Sequence, residues 1–323
     1  MKPSGETPSM SAKSSNRRSF AGRDIISVRD LETRDIVRIL DACERFEKFD
    51  RPILDGKILG CLFFEPSTRT RLSFEAAMAR LGGSTIGFAD AAMSSVSKGE
   101  SLSDTIRMVE NYCDIIVIRH KHEGAARLAA DSTELPVING GDGANQHPTQ
   151  TLLDLYTIRK LHHRVDGLRV AFLGDLRYSR TVHSLLDTLV RFGNDLVLVS
   201  PPQLRLPPDL LHELSRPGVR ITEEFDPSVL PRDVDILYTT RIQKERFPDL
   251  VEYEKVRNAY RLDRKALSIY SRPVTVMHPL PRVNEIAQDL DDYEGSAYFL
   301  QAKNGVTVRK TLLSLLLGAA DAE

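Results

Sequence analysis

Residues Phe64 to Phe74 read Phe-Glu-Pro-Ser-Thr-Arg-Thr-Arg-Leu-Ser-Phe, a dense set of groups able to bind an anion. An apolar run (Ile58, Leu59, Cys61, Leu62, Phe63, Phe64) leads into Glu65-Pro66. Three hydroxyl residues and two arginines follow, and then a helical pattern begins. Ser67, Thr68 and Thr70 suit an N-cap and first turn. A helix start exposes unpaired N–H groups and a partial positive charge. Arg69 adds a permanent cation with a two-pronged donor geometry. Strand, hydroxyl-rich turn and helix start together predict a pocket for an anion, most naturally phosphate. An ordinary N-cap with surface arginines would account for one Ser-Thr pair. It accounts less well for Pro66 stopping the strand with cations inside the first turn. The run has no glycines, so it is neither a Walker loop nor a dinucleotide fingerprint, and side chains must share the holding with the backbone.

Other polar clusters recur where apolar runs end. Arg119 and His120 follow the run at 114–118. His147 opens a long helix within residues 143–150, Gly-Ala-Asn-Gln-His-Pro-Thr-Gln. Pro148 suits the first turn, which places His147 near the N-cap and Gln150 one turn on. Arg180 follows Gly-Asp-Leu-Arg-Tyr-Ser at 174–179. Arg241 and Gln243 follow the run at 234–238. His278-Pro-Leu-Pro-Arg282 follows the run at 274–277, and Pro279 and Pro281 can hold carbonyls outward by fixing the local backbone. The polar stretch at 94–100, Ser-Ser-Val-Ser-Lys-Gly-Glu, is either a solvated loop or one that reaches out and closes down. Singly, an arginine after a strand caps a helix or pairs with a carboxylate, and a lone histidine is structural. The repetition carries the reading: several strand ends hold Arg, Lys, His or Gln and few carboxylates, which predicts a pocket for small polyanions.

Several classes are disfavoured. His162-His163 and His120-x-His122 lack a convincing third ligand, so no zinc site is expected. The strand at 168–173 leads to one glycine, Gly174, where a dinucleotide fold wants three. The next strand ends in Val199-Ser-Pro-Pro, without an acid to hold a ribose. No Gly-Lys-Ser/Thr loop of an NTPase is present. A net charge of −1 over 323 residues favours neither nucleic acid nor membrane as partner. No stretch approaches the length of a membrane span. Cys43, Cys61 and Cys113 sit in apolar-periodic segments with no Cys-x-x-Cys pair, as buried reduced thiols of a cytoplasmic protein would. Residues 1–18 are rich in Ser, Pro and Lys/Arg without an apolar core, which excludes a secretory signal and predicts a disordered tail.

The elements that must position these residues alternate between strand and helix, which predicts an α/β fold with parallel sheets. Strands are expected near 58–64, 84–89, 114–119 and 136–138, with helices near 30–48, 70–81, 101–112 and 124–131. A long helix follows at 148–161. After a turn at Asp166-Gly167, strands are expected at 168–173, 195–199, 219–222, 234–238 and 274–277. The accompanying helices are expected at 180–192, 210–214, 249–259 and 299–317. The predicted architecture is two doubly wound parallel-sheet domains joined by interdomain helices, with the active site in the cleft, since such sheets bind ligands at their carboxyl ends. The expected division is a tail at 1–18, a first domain at 19–148 completed by a C-terminal helix at 299–323, and a second domain at 149–298.

Over about residues 20 to 320 the chain resembles the aspartate carbamoyltransferase family, through Ser67-Thr-Arg-Thr-Arg71, Ser95 with Lys98-Gly-Glu100, His147-Pro-Thr-Gln150, Arg180-Thr-Val-His183, Arg241-Ile-Gln-Lys-Glu-Arg246 and His278-Pro-Leu-Pro-Arg282. The related ornithine carbamoyltransferases share the first turn and a His-Pro-x-Gln element, but carry His-Cys-Leu-Pro where this chain has Pro279. Arg241-x-Gln243 also suits a dicarboxylate better than a diamine. The resemblance implies transfer of the carbamoyl group of carbamoyl phosphate to the α-amine of L-aspartate, an early step of pyrimidine biosynthesis, with no metal or cofactor. The alternatives are transfer to another amine such as ornithine, and a polyanion-binding protein without catalysis.

The resemblance also implies roles. Residues 19–148 would bind carbamoyl phosphate and residues 149–298 aspartate. Ser67, Thr68, Arg69 and Thr70 would hold the phosphate. Arg119, His147 and the carbonyls of Pro279 and Leu280, next to Pro281, would hold the carbamoyl group, with Gln150 beside it. Arg180, Arg241 and Gln243, with Lys98, would hold aspartate. Arg69, Thr70, Lys98, Arg119 and His147 would act in catalysis. Ser95 and Lys98 would reach in from a neighbouring subunit of a homotrimer with shared active sites, and Ser94 is the other match for Ser95. Separate regulatory chains are left open. The family's usual Val-Asp-Glu is Val283-Asn-Glu here, with no functional cost attached.

Overall fold

Four consecutive aliphatic residues, Ile115 to Ile118, are all fully buried, as a strand covered on both faces requires. The computed structural model describes residues 19–90, 99–226, 229–244, 247, 249–257 and 259–319. The expectations for residues 1–18 and for Ser94, Ser95 and Lys98 fall outside these residues.

The first half runs α1 (Thr33–Phe46), β1 (Ile58–Phe63), α2 (Thr68–Arg80), β2 (Ser84–Phe88), α3 (Leu102–Val109), β3 (Ile115–His120), α4 (Ala125–Asp131), β4 (Val137–Asp142) and α5 (Pro148–His162). Its strands form a parallel sheet of order β2-β1-β3-β4. The second half runs β5 (Arg169–Leu173), α6 (Arg180–Arg191), β6 (Asp195–Val199), α7 (Pro208–Leu214), β7 (Ile221–Glu224), β8 (Ile236–Thr239), α8 (Leu250–Val256), α9 (Arg264–Leu267), β9 (Thr275–Met277) and α10 (Tyr298–Leu316). Its strands form a second parallel sheet, β7-β6-β5-β8-β9. The expected fold class is therefore present. Strand order reverses between β1 and β3 and again between β5 and β8, and each reversal opens a crevice at the carboxyl ends of the strands.

Several boundaries differ from expectation for local reasons. The helix expected at 30–48 is a 3-10 turn (Val28–Asp30) followed by α1, because the Ser27 side chain accepts from Arg29 N and Leu31 returns to extended backbone. The strand expected at 136–138 continues to Asp142. Its last residues look polar, but Asn139 is fully buried and its Nδ2 donates to Ile26 O at 2.9 Å and to Asp142 Oδ1 at 2.8 Å. Gly141 has φ +117°, and a Cβ there would lie 2.7 Å from Arg119 Nη1, so only glycine allows this approach. α3 stops at Val109 rather than near 112, where Asn111 Nδ2 turns back to Arg107 O and Met108 O. α8 ends at Val256 rather than near 259, β7 begins two residues later than expected, and the short α9 was not expected. Cys43 and Cys61 are buried, but Cys113 is only half-buried, just past the end of α3.

α5 and α10 hold the two halves together. Nearly every residue of α5 from Pro148 to Ile158 is buried, Gln150 being the exception, as a helix packed on all sides must be. One apolar cluster runs from Ile39 on α1 and Phe74 on α2 through Leu152 on α5 and Leu312 on α10 to Leu185 on α6 and Phe172 on β5. No helix among the described residues is long and apolar enough to cross a membrane.

Leu312 is 0 % exposed in this shared cluster. Leu312→Ala should lower the unfolding free energy by roughly 2–5 kcal/mol. Equilibrium urea denaturation measures it, and a loss far below that range would show that α10 is not part of the common core.

Candidate active site

The carboxyl ends of both sheets face one cleft of about 910 Å³. Pro66 follows β1, and Ser67 takes the N-cap of α2 with extended backbone. α2 begins two residues earlier than expected, so Thr68, Arg69 and Thr70 form its first turn. The Ser67 side chain makes no capping bond, and the amides of that turn have no partner within the helix. Ser67 to Thr70 line the cleft, so hydroxyls and amides meet there at the positive end of a helix.

Among the described residues Arg69, Arg119, Arg180, Arg241 and Arg309 line the same cleft. Burial, and then the charge of Arg241, lowers the pKa of Arg69. Arg119 is 8 % exposed, and its Nη1 donates to Gly140 O at 3.0 Å. Arg180 begins α6 and donates through Nη1 to Gly143 O. Glu65 lies between these two cations, its Oε2 being 3.4 Å from Arg119 Nη2 and 3.6 Å from Arg180 Nη1. A carboxylate at the end of β1 thus pairs with cations from both halves. Arg309 rises from α10 and is 3 % exposed, stacked over Phe74 at 5.0 Å, with Nη2 3.3 Å from Thr149 Oγ1.

His147 is the N-cap of α5, as expected, with Pro148 next to it. It is 5 % exposed, and Nδ1 lies 3.5 Å from Thr149 Oγ1. Burial, then the charges of Arg180, Arg119 and Arg309, holds its pKa well below the usual histidine value. At neutral pH it is a neutral imidazole, able to donate from one nitrogen while the other accepts.

His278 does different work. Its Nδ1 accepts from Leu280 N at 2.8 Å, so the ring proton sits on Nε2, which donates to Glu285 Oε1 at 2.7 Å. The ring is a scaffold for the Pro279–Leu280 turn rather than a group aimed at a ligand. Leu280 has φ +57° and the Leu280–Pro281 bond is cis. A left-handed leucine is unfavourable by itself and persists where its surroundings hold it. Glu285 also accepts from Val283 N and Asn284 N, each at 3.1 Å to Oε2. Asn284, which departs from the family pattern, gives Glu285 its backbone N–H, while its side chain turns to Arg257 O at 3.5 Å.

The site candidates at Ser67, Thr68, Arg69, Thr70, Arg119, His147, Gln150, Arg180, Arg241, Gln243, Pro279, Leu280 and Pro281 all border this one cleft. Ser95 and Lys98 lie outside the described residues. As the expectation of few carboxylates implies, Glu65 is the one carboxylate among the described residues that line the cleft. Asp142, Asp154, Asp175 and Glu285 are buried and do not line it. Most of them serve the backbone. Asp142 takes the N–H groups of Gly124 and Gln146. Asp175 takes those of Tyr178 at 2.9 Å and Gln243 at 3.5 Å, and burial pushes its carboxyl up to about 6. The same turn needs Gly174, whose φ is +117° and where a Cβ would lie 1.9 Å from the Tyr260 hydroxyl. Sequence reasoning missed Glu65, Gln301 and Arg309. Glu65 stands in the first motif itself. Gln301, Asn304 and Arg309 are polar residues buried in the closing helix, a pattern that signals internal partners. No cluster of three metal-ligating side chains occurs among the described residues.

A cation-lined cleft over the switch points of two parallel sheets defines a class of proteins that hold small anions between two α/β domains. Residues 23–160 match the model of the aspartate/ornithine carbamoyltransferase carbamoyl-P binding domain, and residues 166–316 match that of the Asp/Orn binding domain. The chain belongs to the aspartate/ornithine carbamoyltransferase family. It is 54% identical over 307 residues to the aspartate carbamoyltransferase catalytic subunit of Thermococcus onnurineus, covering 94% of this chain and 99% of that one. Against the catalytic subunit from Methanopyrus kandleri it is 52% identical over 307 residues, covering 93% and 99%. The solved catalytic subunit of M. jannaschii aspartate transcarbamoylase superposes with a TM-score of 0.85 at 48% identity, covering 93% of this chain and all of that one (100%). The Trypanosoma cruzi enzyme in complex with carbamoyl phosphate and aspartate superposes with a TM-score of 0.87 at 37% identity, covering 92% and 98%.

Because burial and three arginines all disfavour a charged imidazole, His147 should remain neutral at pH values well below 6.5. Its ring signals, identified by their loss in His147→Asn, should not titrate between about pH 6 and 8 in an NMR series, a window set by the ordinary value near 6.5. A midpoint near the ordinary value would overturn the electrostatic picture of the cleft.

Proposed function

We infer that the protein transfers the carbamoyl group of carbamoyl phosphate to the α-amine of L-aspartate, giving N-carbamoyl-L-aspartate and phosphate. The observation that carries this reading is the convergence in one cleft of a helix start rich in hydroxyls and amides, a neutral buried imidazole and several arginines. Curated relatives about half identical to this chain bear the name aspartate carbamoyltransferase catalytic subunit, which supports the aspartate branch over ornithine. The cleft also falls within the usual size of small-molecule sites.

Ser67, Thr68, Arg69 and Thr70 hold the phosphate on this reading. Arg119, His147, Gln150 and the carbonyls of Pro279 and Leu280, beside Pro281, hold the carbamoyl group. Arg180, Arg241, Gln243 and Lys98 hold the carboxylates of aspartate. The neutral amine attacks the carbonyl carbon, and negative charge grows on its oxygen and then on the departing phosphate. Thr70, Arg119 and His147 stabilise the oxygen as preorganised donors. Arg69 and Lys98 stabilise the phosphate, which itself takes the amine proton. Two anions that repel each other must be held in line, and orientation of this kind contributes on the order of 7–11 kcal/mol.

Residues 19–148 with 299–323 form the carbamoyl phosphate side on this reading, and residues 149–298 the aspartate side. The assembly is a homotrimer in which Ser95 and Lys98 reach a neighbour's cleft. β2 supports this, as a largely exposed edge strand with Ile86 39 % exposed just before that segment. The words "catalytic subunit" in the relatives' names support an association with separate regulatory chains. The place of action is the cytoplasm and the pathway is pyrimidine synthesis.

The direct test is product formation from carbamoyl phosphate with aspartate and, in parallel, with ornithine. Carbamoyl-aspartate alone is expected, and Arg241→Ala should raise the KM for aspartate with little effect on that for carbamoyl phosphate. Product with ornithine, or with neither amine, would overturn the reading.

Subunit sharing has its own test. Arg69→Ala and Lys98→Ala chains should each lose at least about 10²-fold in turnover, by analogy with the loss of one oxyanion donor. Verified mixed oligomers of the two should regain part of the activity, because some clefts then draw an intact residue from each chain. No recovery would refute shared sites.

A further inference from the structure

Asp154 lies on α5 one turn beyond Gln150, is fully buried, and has no part in the roles above. Three donors converge on it. Gln150 Nε2 at 2.8 Å and Gln301 Nε2 at 2.6 Å both reach Oδ1, and the Tyr238 hydroxyl reaches Oδ2 at 2.8 Å. They arrive from α5, α10 and β8. Oδ1 is therefore an acceptor for two amides at once, which turns both NH2 groups inward. Burial pushes this carboxyl up to about 7. A proton taken up on Oδ2, beside Tyr238, still leaves Oδ1 accepting from both glutamines, so neither amide turns over.

The consequence lies at the far ends of the two amides. Gln150 lines the cleft, and with its Nε2 donating to Asp154 the Oε1 atom is the acceptor it has left to offer a ligand there. Gln301 presents its Oε1 to the backbone N–H of His278, at 2.9 Å. His278 opens the segment in which its own ring holds Leu280 N, and Pro279 and Leu280 border the cleft. One buried carboxylate thus sets the amide of Gln150 directly and anchors the Pro279–Leu280 turn through Gln301.

Resting on the reading of the cleft as a carbamoyl phosphate site, we propose that Asp154 is the positioning residue that makes the site select a carbamoyl over an acyl group. It aims three acceptor oxygens, Gln150 Oε1 and the carbonyls of Pro279 and Leu280, at the NH2 of the substrate. A methyl group of the same size cannot donate to them, and a site built to bond an N–H rejects an analogue that lacks it far more strongly than an apolar pocket does.

The test compares dissociation constants of carbamoyl phosphate and acetyl phosphate, which carries CH3 in place of NH2, by calorimetry on the full chain. The wild-type protein should prefer carbamoyl phosphate. Asp154→Leu, similar in shape but without an acceptor, should narrow that preference by about tenfold, the worth of one well-made hydrogen bond. Asp154→Asn keeps an oxygen for the two glutamines and should restore most of it. A merely structural role would weaken both ligands equally, and that result overturns the proposal. So does an unchanged ratio in Asp154→Leu. If Asp154→Leu does not fold, Gln301→Met decides. It breaks only the arm to His278, so a ratio narrowed by about threefold, part of one hydrogen bond's worth, supports the proposal and an unchanged ratio overturns it. Absence of carbamoyl phosphate binding by the wild-type chain would overturn the functional reading and this proposal together, whereas retained binding with an unmoved ratio overturns this proposal alone.

Discussion

Gathering arginines around one small cavity is the constraint on which the rest of this structure depends. Arg69, Arg119, Arg180, Arg241 and Arg309 face a single cleft, where Arg241 disfavours the charged state of Arg69, and Arg180, Arg119 and Arg309 that of His147. Such a cluster survives only if its members are held by something stronger than their repulsion. Glu65 neutralises part of it, set between Arg119 and Arg180. Backbone carbonyls of Gly140 and Gly143 take further guanidinium donors. Phe74 covers one face of Arg309. On the proposed reading, a small anion relieves the repulsion that remains.

The two long packed helices carry out that holding. α5 and α10 are mostly apolar where they build the shared core, yet each places polar residues at the level of the cleft: His147, Gln150 and Asp154 on α5, Gln301 and Arg309 on α10. Buried polar groups of this kind are tolerated only when their bonds are complete. The Gln150–Asp154–Gln301–His278 chain meets that requirement, and Tyr238 joins it to the second sheet. The geometry of the cleft is thereby tied to the packing that joins the two halves.

Much of this was legible beforehand, for identifiable reasons. Continuous apolar runs such as 115–118 and 170–173 mark buried parallel strands, and both sheets appear with these strands in them. Pro66 and Pro148 mark helix starts at the cleft, and His147 is indeed the N-cap of α5. β4 was cut short because Asn139 and two glycines do not read as strand, although Asn139 is paired inside the fold. The partners of the buried carboxylates are hidden for a related reason. Asp175 and Glu285 bind N–H groups one to three residues away, but Asp175 adds Gln243 from 68 positions after it, Asp142 adds Gly124 from eighteen positions before it, and Asp154 finds partners on other elements. Periodicity does not reveal partners of either kind.

The sequence by itself determined the alternation of strands and helices, the helix start at Ser67 and the chemical types that end each strand, because these depend on neighbours within a few residues. Only the tertiary structure decided which ends face one another. It set Glu65 between Arg119 and Arg180, turned His278 into a scaffold while leaving His147 a neutral imidazole, and brought Gln301 to Asp154 across 147 positions of chain. Those outcomes follow from burial and from charges brought close by packing. Both are properties of the space between elements, which no local pattern of residues encodes.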